Sequence, residues 1–227
     1  MEEFYQLGTN YLDEENYEEA VKHLSKAAEL GCPKSQNDLG WCYANGLGVA
    51  QNNPTARKWL LKAAEQGFEL AQMNLAIFYD HFFQYKEAVK WFEKAAELGS
   101  DCAQLCLGLY YEYGAGVRED FSKAAYWYEK SANQGNVASM YNLGILYCHG
   151  THTDAESLKM IDYKVALEWF HKAEALGCLD SQYMLGVCYF HGWGVRKNQK
   201  TANKWFQKAA DQGHEDSIQW LSGRVKI

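Results

Sequence analysis

The chain has 227 residues and a formal net charge of −7, a balance that works against general nucleic-acid binding and against docking on anionic membranes. It contains no apolar run of the roughly 18 residues that a transmembrane helix needs. Its start, Met1-Glu2-Glu3-Phe4-Tyr5, lacks the basic and apolar regions of a secretion signal.

The predicted elements repeat along the chain. In segment 1–32, Leu7-Gly8 and Tyr11 mark a first helix, termed helix A of its copy, and Ala20, His23, Leu24 and Ala27 mark a second, helix B, which closes at Gly31. Segment 33–68 carries Leu39-Gly40 and Tyr43, a connector Gly46-Leu47-Gly48-Val49, and then Ala56, Trp59, Ala63 and Gly67. Segment 69–100 has Leu75-Ala76 and Tyr79, no such connector, and Ala88, Trp91, Ala95 and Gly99. Segment 101–136 restores the connector: Leu107-Gly108 and Tyr111, Gly114-Ala115-Gly116-Val117, then Ala124, Trp127, Ser131 and Gly135. Segment 137–178 has Leu143-Gly144 and Tyr147, an insertion from Thr151 to Ile161, and Ala166, Trp169, Ala173 and Gly177. Segment 179–214 runs through Leu185-Gly186, Tyr189, Gly192-Trp193-Gly194-Val195, Ala202, Trp205, Ala209 and Gly213. The remainder, 215–227, with Ile218, Trp220 and Leu221, reads as a closing helix.

Offsets of three, four and seven place the Ala, the Trp and the second small residue on one face of helix B. The closing glycine fits a left-handed C-cap. A glycine inside helix A costs about 1 kcal/mol against alanine, which makes sense where helix B crosses closely, with its own small residues opposite. The Gly-x-Gly connectors call for positive φ, and the Val after them is expected to pack back on the hairpin. They lack the strand and the further glycine of a nucleotide-binding loop.

Leu-Gly-x-x-Tyr, then Gly-x-Gly-Val, then Lys-Ala-x-x-Trp-Tyr-x-Lys-Ala-Ala-x-x-Gly resembles the Sel-1-like repeat family, a relative of the tetratricopeptide repeats. The resemblance covers nearly the whole chain and is fullest in Asp101 to Asn136 and Leu179 to His214. It implies an all-α, right-handed α-solenoid of about six helix-turn-helix repeats with a C-terminal capping helix, forming one elongated domain over 1–227. It also implies an adaptor or scaffold that binds another protein or peptide through a concave groove lined by the A helices. No cofactor, metal or catalytic residue is expected.

On that frame the groove positions lie two before, one before, two after and six after the repeat Leu. They supply the candidate partner-binding residues Asn37, Trp41, Asn74, Tyr141, Asn142 and Tyr183. Side-chain amides can grip a peptide backbone, and Tyr and Trp add apolar contact with a polar handle. Asparagine is a poor helix former, so Asn37, Asn74 and Asn142 need a reason to stand there. Trp193, between two glycines, is expected to be exposed and to offer a secondary contact.

Cys148-His149 with His152 could hold a metal or serve a nucleophile; a helix-end thiol beside two solvated histidines is the reading adopted. Cys102 and Cys106 read as buried thiols, and Cys32/Cys42 and Cys178/Cys188 as equivalent positions too far apart to bridge. Seven cysteines at irregular spacing do not form a disulfide framework. Secreted members of the resembled family carry paired cysteines with one in helix B, where this chain has Ala28, Ala64, Ala96, Ala132, Glu174 and Ala210, so a cytoplasmic setting is expected. The alternative function is a bacterial immunity or regulatory protein that binds and neutralises a toxin or effector. A remoter one is a Cys/His hydrolase or metal enzyme at Cys148, His149 and His152.

Overall fold

A computed structural model describes residues 1–149 and 161–223. The Thr151 to Ile161 insertion, Ile161 apart, and His152 lie outside them. The described residues form thirteen α-helices and no strand. The A helices are α1 (Glu2–Asp13), α3 (Pro33–Asn45), α5 (Glu69–His81), α7 (Asp101–Tyr113), α9 (Val137–His149) and α11 (Leu179–His191). The B helices are α2 (Tyr17–Glu29), α4 (Asn53–Glu65), α6 (Tyr85–Glu97), α8 (Phe121–Asn133), α10 (Tyr163–Ala175) and α12 (Gln199–Ala210), and α13 (Glu215–Leu221) follows. The chain divides into two compact units, Met1–Cys106 with Gly114–Arg118, and Leu107–Tyr113 with Glu119–Ile227.

Within each unit a helix packs on the next one in the chain, as the hairpin reading requires. The repeat alanines and the small residues seven positions later are buried in all six copies, so the B helices sit as deep as their spacing implies. Each B helix ends in the expected left-handed glycine. After α2, Gly31 adopts φ +92°, its N–H bonds the Ala28 carbonyl, and the Cys32 N–H reaches back to Ala27 at 3.0 Å. This Schellman pairing satisfies carbonyls that the helix end leaves open.

Helix B crosses closely at the glycines inside the A helices, as expected: a Cβ at Gly8 would lie 3.2 Å from the Leu24 backbone nitrogen and one at Gly40 3.1 Å from that of Leu60. The residue that faces them is not the one expected. A small residue of helix B does not face them. A large one does: Leu24 over Gly8, Leu60 over Gly40, Tyr128 over Gly108, Phe170 over Gly144 and Phe206 over Gly186. A methyl at Gly144 would lie 2.5 Å from the Phe170 ring, so glycine is there to admit a bulky core side chain. Each such buried side chain stabilises its unit by about 1.5–3 kcal/mol.

The connectors tie successive hairpins together. The second glycine of each Gly-x-Gly lies against the first turn of the preceding B helix: Gly48 on Tyr17, Gly116 on Tyr85 and Gly194 on Tyr163. Val49 packs on the core formed by Ala20, Leu24, Leu39 and Cys42, as expected. In the two copies without a connector, a non-glycine residue takes the left-handed turn position instead, Glu15 and Phe83, each at φ 58°. For an L-residue that conformation costs roughly 1–2 kcal/mol.

A buried glutamine three before the repeat Leu stitches A to B. In the first unit the Nε2 groups of Gln36, Gln72 and Gln104 bond the carbonyls of Ala28, Ala64 and Ala96, near the C-terminus of the preceding B helix. The Gln36 side-chain oxygen also accepts from Gln66 Nε2 at 2.7 Å, and Gln182 in the second unit accepts from Gln212 at 2.9 Å. Gln72 is the exception. Its Oε1 is buried with no partner, because the residue at the Gln66 position of its copy is Leu98. A Leu98→Gln variant is expected to supply the missing donor and to gain about 1 kcal/mol, read as a higher denaturation midpoint. An unchanged or lower midpoint would refute that account of Gln72.

Candidate functional site

The first unit holds a cleft of about 630 Å3 between α3, the loop after it, α4 and α5. Its walls include Trp41, Asn45, Asn74, Ile77, His81 and Phe82. All but Phe82 fall on registers expected to face the groove, two of them (Trp41 and Asn74) among the named site residues. Trp41 is 47% exposed and Ile77 48%, so both offer apolar surface to a partner. At the end of α5, Phe82 lies 4.8 Å from Phe78 and 5.0 Å from His81, ring centre to ring centre. Next to it Phe83, in its left-handed turn, is 77% exposed. Phe78 and Phe82 were not picked out from the sequence. Their signal was the aromatic run of the third copy, Phe78-Tyr79 followed by Phe82-Phe83, at a helix end with no connector to cover it.

Asn37 is placed differently from its expected role. It is only 3% exposed, because its side chain turns from α3 toward α5 rather than into open space. Its Oδ1 accepts from Asn74 Nδ2 at 2.8 Å and its Nδ2 donates to Asp38 Oδ1 at 3.0 Å. The amide pair links two neighbouring A helices, which is the reason an asparagine stands at both helical positions. Burial pushes the Asp38 carboxyl above its ordinary range, against the Asn37 hydrogen bond and the field of Lys34. Tyr5 is likewise pushed up, by burial first and then by the charge of Asp38.

In the second unit Tyr141 and Tyr183 are half-buried and pack on the core built around Phe170 and Phe206. Tyr183 also stacks on His214 at 5.1 Å. Burial, with help from Asp180, pushes the Tyr141 hydroxyl up to about 12. Asn142 is half-buried. Trp193 is not the open contact that its loop suggests. The ring folds back between Tyr163, stacked at 5.3 Å, and His191, stacked at 4.8 Å, because the connector lies on the start of α10. Also in this unit, the Tyr128 hydroxyl donates to Glu112, whose carboxyl burial pushes upward.

Of the sequence's chemical candidates, Cys148, His149 and the other cysteines lie among the described residues and His152 does not. Cys148 is buried and its thiol pairs with that of Cys188, while His149 is exposed. Cys102 is exposed rather than buried, since it faces outward in the first turn of α7, and all seven cysteines are free thiols. One unexpected chain joins Asp180, His214 and Ser217: His214 Nε2 lies 3.1 Å from Asp180 Oδ1, and Nδ1 lies 3.1 Å from Ser217 Oγ. Ser217 has 0% exposure, and its backbone N–H also donates to His214 Nδ1. The histidine thus caps the start of α13, and the hydroxyl has no access to a substrate. Among the described residues no three His, Cys, Asp or Glu side chains gather in a metal-ligating arrangement, and no helix is long and apolar enough to cross a membrane.

A family model described as Sel1 repeat matches residues 3–32, 33–68, 70–100, 103–136, 137–178 and 179–214. A Sel1 repeat protein from Oxalobacter formigenes has a crystal structure that superposes with a TM-score of 0.84 at 30% identity, over 96% of this chain and 89% of that one. The crystal structure of c5321, a protective antigen of uropathogenic Escherichia coli, superposes with a TM-score of 0.83 at 32% identity, over 94% of this chain and 46% of that one. Chitin synthase regulatory factor 3 of Schizosaccharomyces pombe is 36% identical over 72 residues, which is 32% of this chain and 8% of that protein. The chain therefore spans less than half the length of two of these relatives.

Proposed function

The chain belongs to the Sel1 repeat family, and from that premise we propose that it is a non-catalytic scaffold that holds a segment of a partner protein in the Trp41 cleft of its first unit. Sel1 repeats generally serve protein interaction rather than catalysis. The observation that carries the reading to this site is the exposed apolar surface of Trp41, Ile77 and Phe82 around a concave space with polar walls. Exposed Trp in a well-formed cleft is a frequent interface anchor. Free thiols support a reducing, cytoplasmic setting, and the net charge of −7 supports a protein partner over nucleic acid or an anionic membrane.

The test is affinity enrichment from native lysate with wild type and with a Trp41→Ala/Phe82→Ala variant of unchanged helicity. A partner held by the wild type and lost by the variant is the expected result. A partner held equally by both would move the interface off the cleft and overturn the proposal. Asn74 is a poorer target for this purpose, since its replacement also breaks the amide pair with Asn37.

A further inference from the structure

Resting on the cleft reading above, we infer that the Trp41 cleft takes the arginine side chain of an extended partner segment, with an apolar neighbour beside it. Three observations of the first unit carry this. The first is the polarity of the walls. Asn45 Nδ2 donates to the Trp41 carbonyl at 2.9 Å, Gln51 Nε2 to the Ala44 carbonyl at 2.8 Å, and Asn74 Nδ2 to Asn37 at 2.8 Å. Each wall amide spends one N–H on its own chain and keeps its side-chain oxygen as an acceptor beside its second N–H. The three amide oxygens can accept from a ligand rich in donors, and guanidinium carries five N–H groups in a planar fork.

The second is the aromatic lining. Trp41, Phe78, His81 and Phe82 surround the cleft, and a planar cation gains by lying on such faces. No Lys or Arg lines the cleft among the described residues, so a guanidinium entering it meets no like charge.

The third is charge. The first unit carries sixteen Asp and Glu against ten Lys and Arg, which is six of the chain's seven net negative charges. On the same A-helix face, Asp38 occupies on α3 the position that Asn74 occupies on α5, and Asp13 occupies on α1 the position that Asn45 and His81 occupy on α3 and α5. The field of this unit thus favours a basic segment, and the cleft is where that segment also finds acceptors and rings. Ile77 and Leu60 in the same walls provide for the apolar neighbour.

The test is selection of a random peptide library displayed on phage against the wild-type protein, with Trp41→Ala and Gln51→Lys variants as counter-screens. Gln51 is exposed, so the added ammonium leaves the core untouched. The expected result is a set of peptides with arginine next to an apolar residue, lost on both variants. A synthetic copy of the best peptide with Arg→Gln should bind about tenfold more weakly, the scale of one desolvated cation–aromatic contact. Peptides without a basic residue that are lost on Trp41→Ala but kept on Gln51→Lys would overturn the arginine assignment and leave the cleft reading standing. Peptides that bind Trp41→Ala as well as wild type would overturn both.

Discussion

Replacing Phe170 by alanine is expected to cost roughly 3–5 kcal/mol, the range for truncating a core aromatic. The ring is fully buried and covers Gly144, so the helix facing it has no Cβ with which to close the space that truncation leaves. The companion change reverses sign with its background. Gly144→Ala alone places a methyl 2.5 Å from the ring and destabilises. In Phe170→Ala the ring is gone, and the same change should stabilise by about 1 kcal/mol through helix propensity and filled space. Denaturation midpoints of the four proteins in this cycle check it; additive effects would show that the glycine is not there for the ring. In the third copy Ala76 stands in the equivalent position and is itself fully buried. A methyl can be accommodated where the backbone spacing has adapted to it.

Gly194→Ala is expected to cost roughly 2–5 kcal/mol, the sum of a left-handed penalty and an overpacking penalty. Gly194 sits at φ +68°, and a Cβ there would run into the carbonyl oxygen of Tyr163. A side chain could swing away, whereas a helix backbone cannot. The loss should be accompanied by changed fluorescence, because the connector carrying Gly194 also carries Trp193, held between Tyr163 and His191. By contrast Gly213→Ala, with open space where its Cβ would fall, should cost only the left-handed penalty. Equal losses at the two glycines would mean that the close approach to Tyr163 contributes nothing.

The repeat was fully legible because its signals are local. A left-handed C-cap, a run of small residues at helical spacing and a Leu-Gly-x-x-Tyr helix each impose their constraint within a few residues of chain, and six copies in register repeat it. The partner of each inner glycine was not legible, since Leu24, Leu60, Tyr128, Phe170 and Phe206 vary in type and all lie four residues after an alanine that also looked suitable. The candidate site was legible in part. Periodicity put Trp41, Asn74, Ile77 and His81 on one side of the A helices, but it also put Asn37 there, which turns out to be a buried tie to Asn74.

The sequence by itself determined the number of copies, the identity and order of the helices, their caps and the depth of the B helices, because those follow from backbone conformation and from periods of three to four residues. Only the tertiary structure decided which helix A residues are free to act. At one and the same register, two after the repeat Leu, Trp41 and Ile77 are about half exposed and Val187 is 4% exposed. Periodicity fixes the direction in which a side chain leaves its helix. Whether it meets solvent, an amide partner or an aromatic ring depends on what the neighbouring helix and connector place opposite, and that is a property of packing.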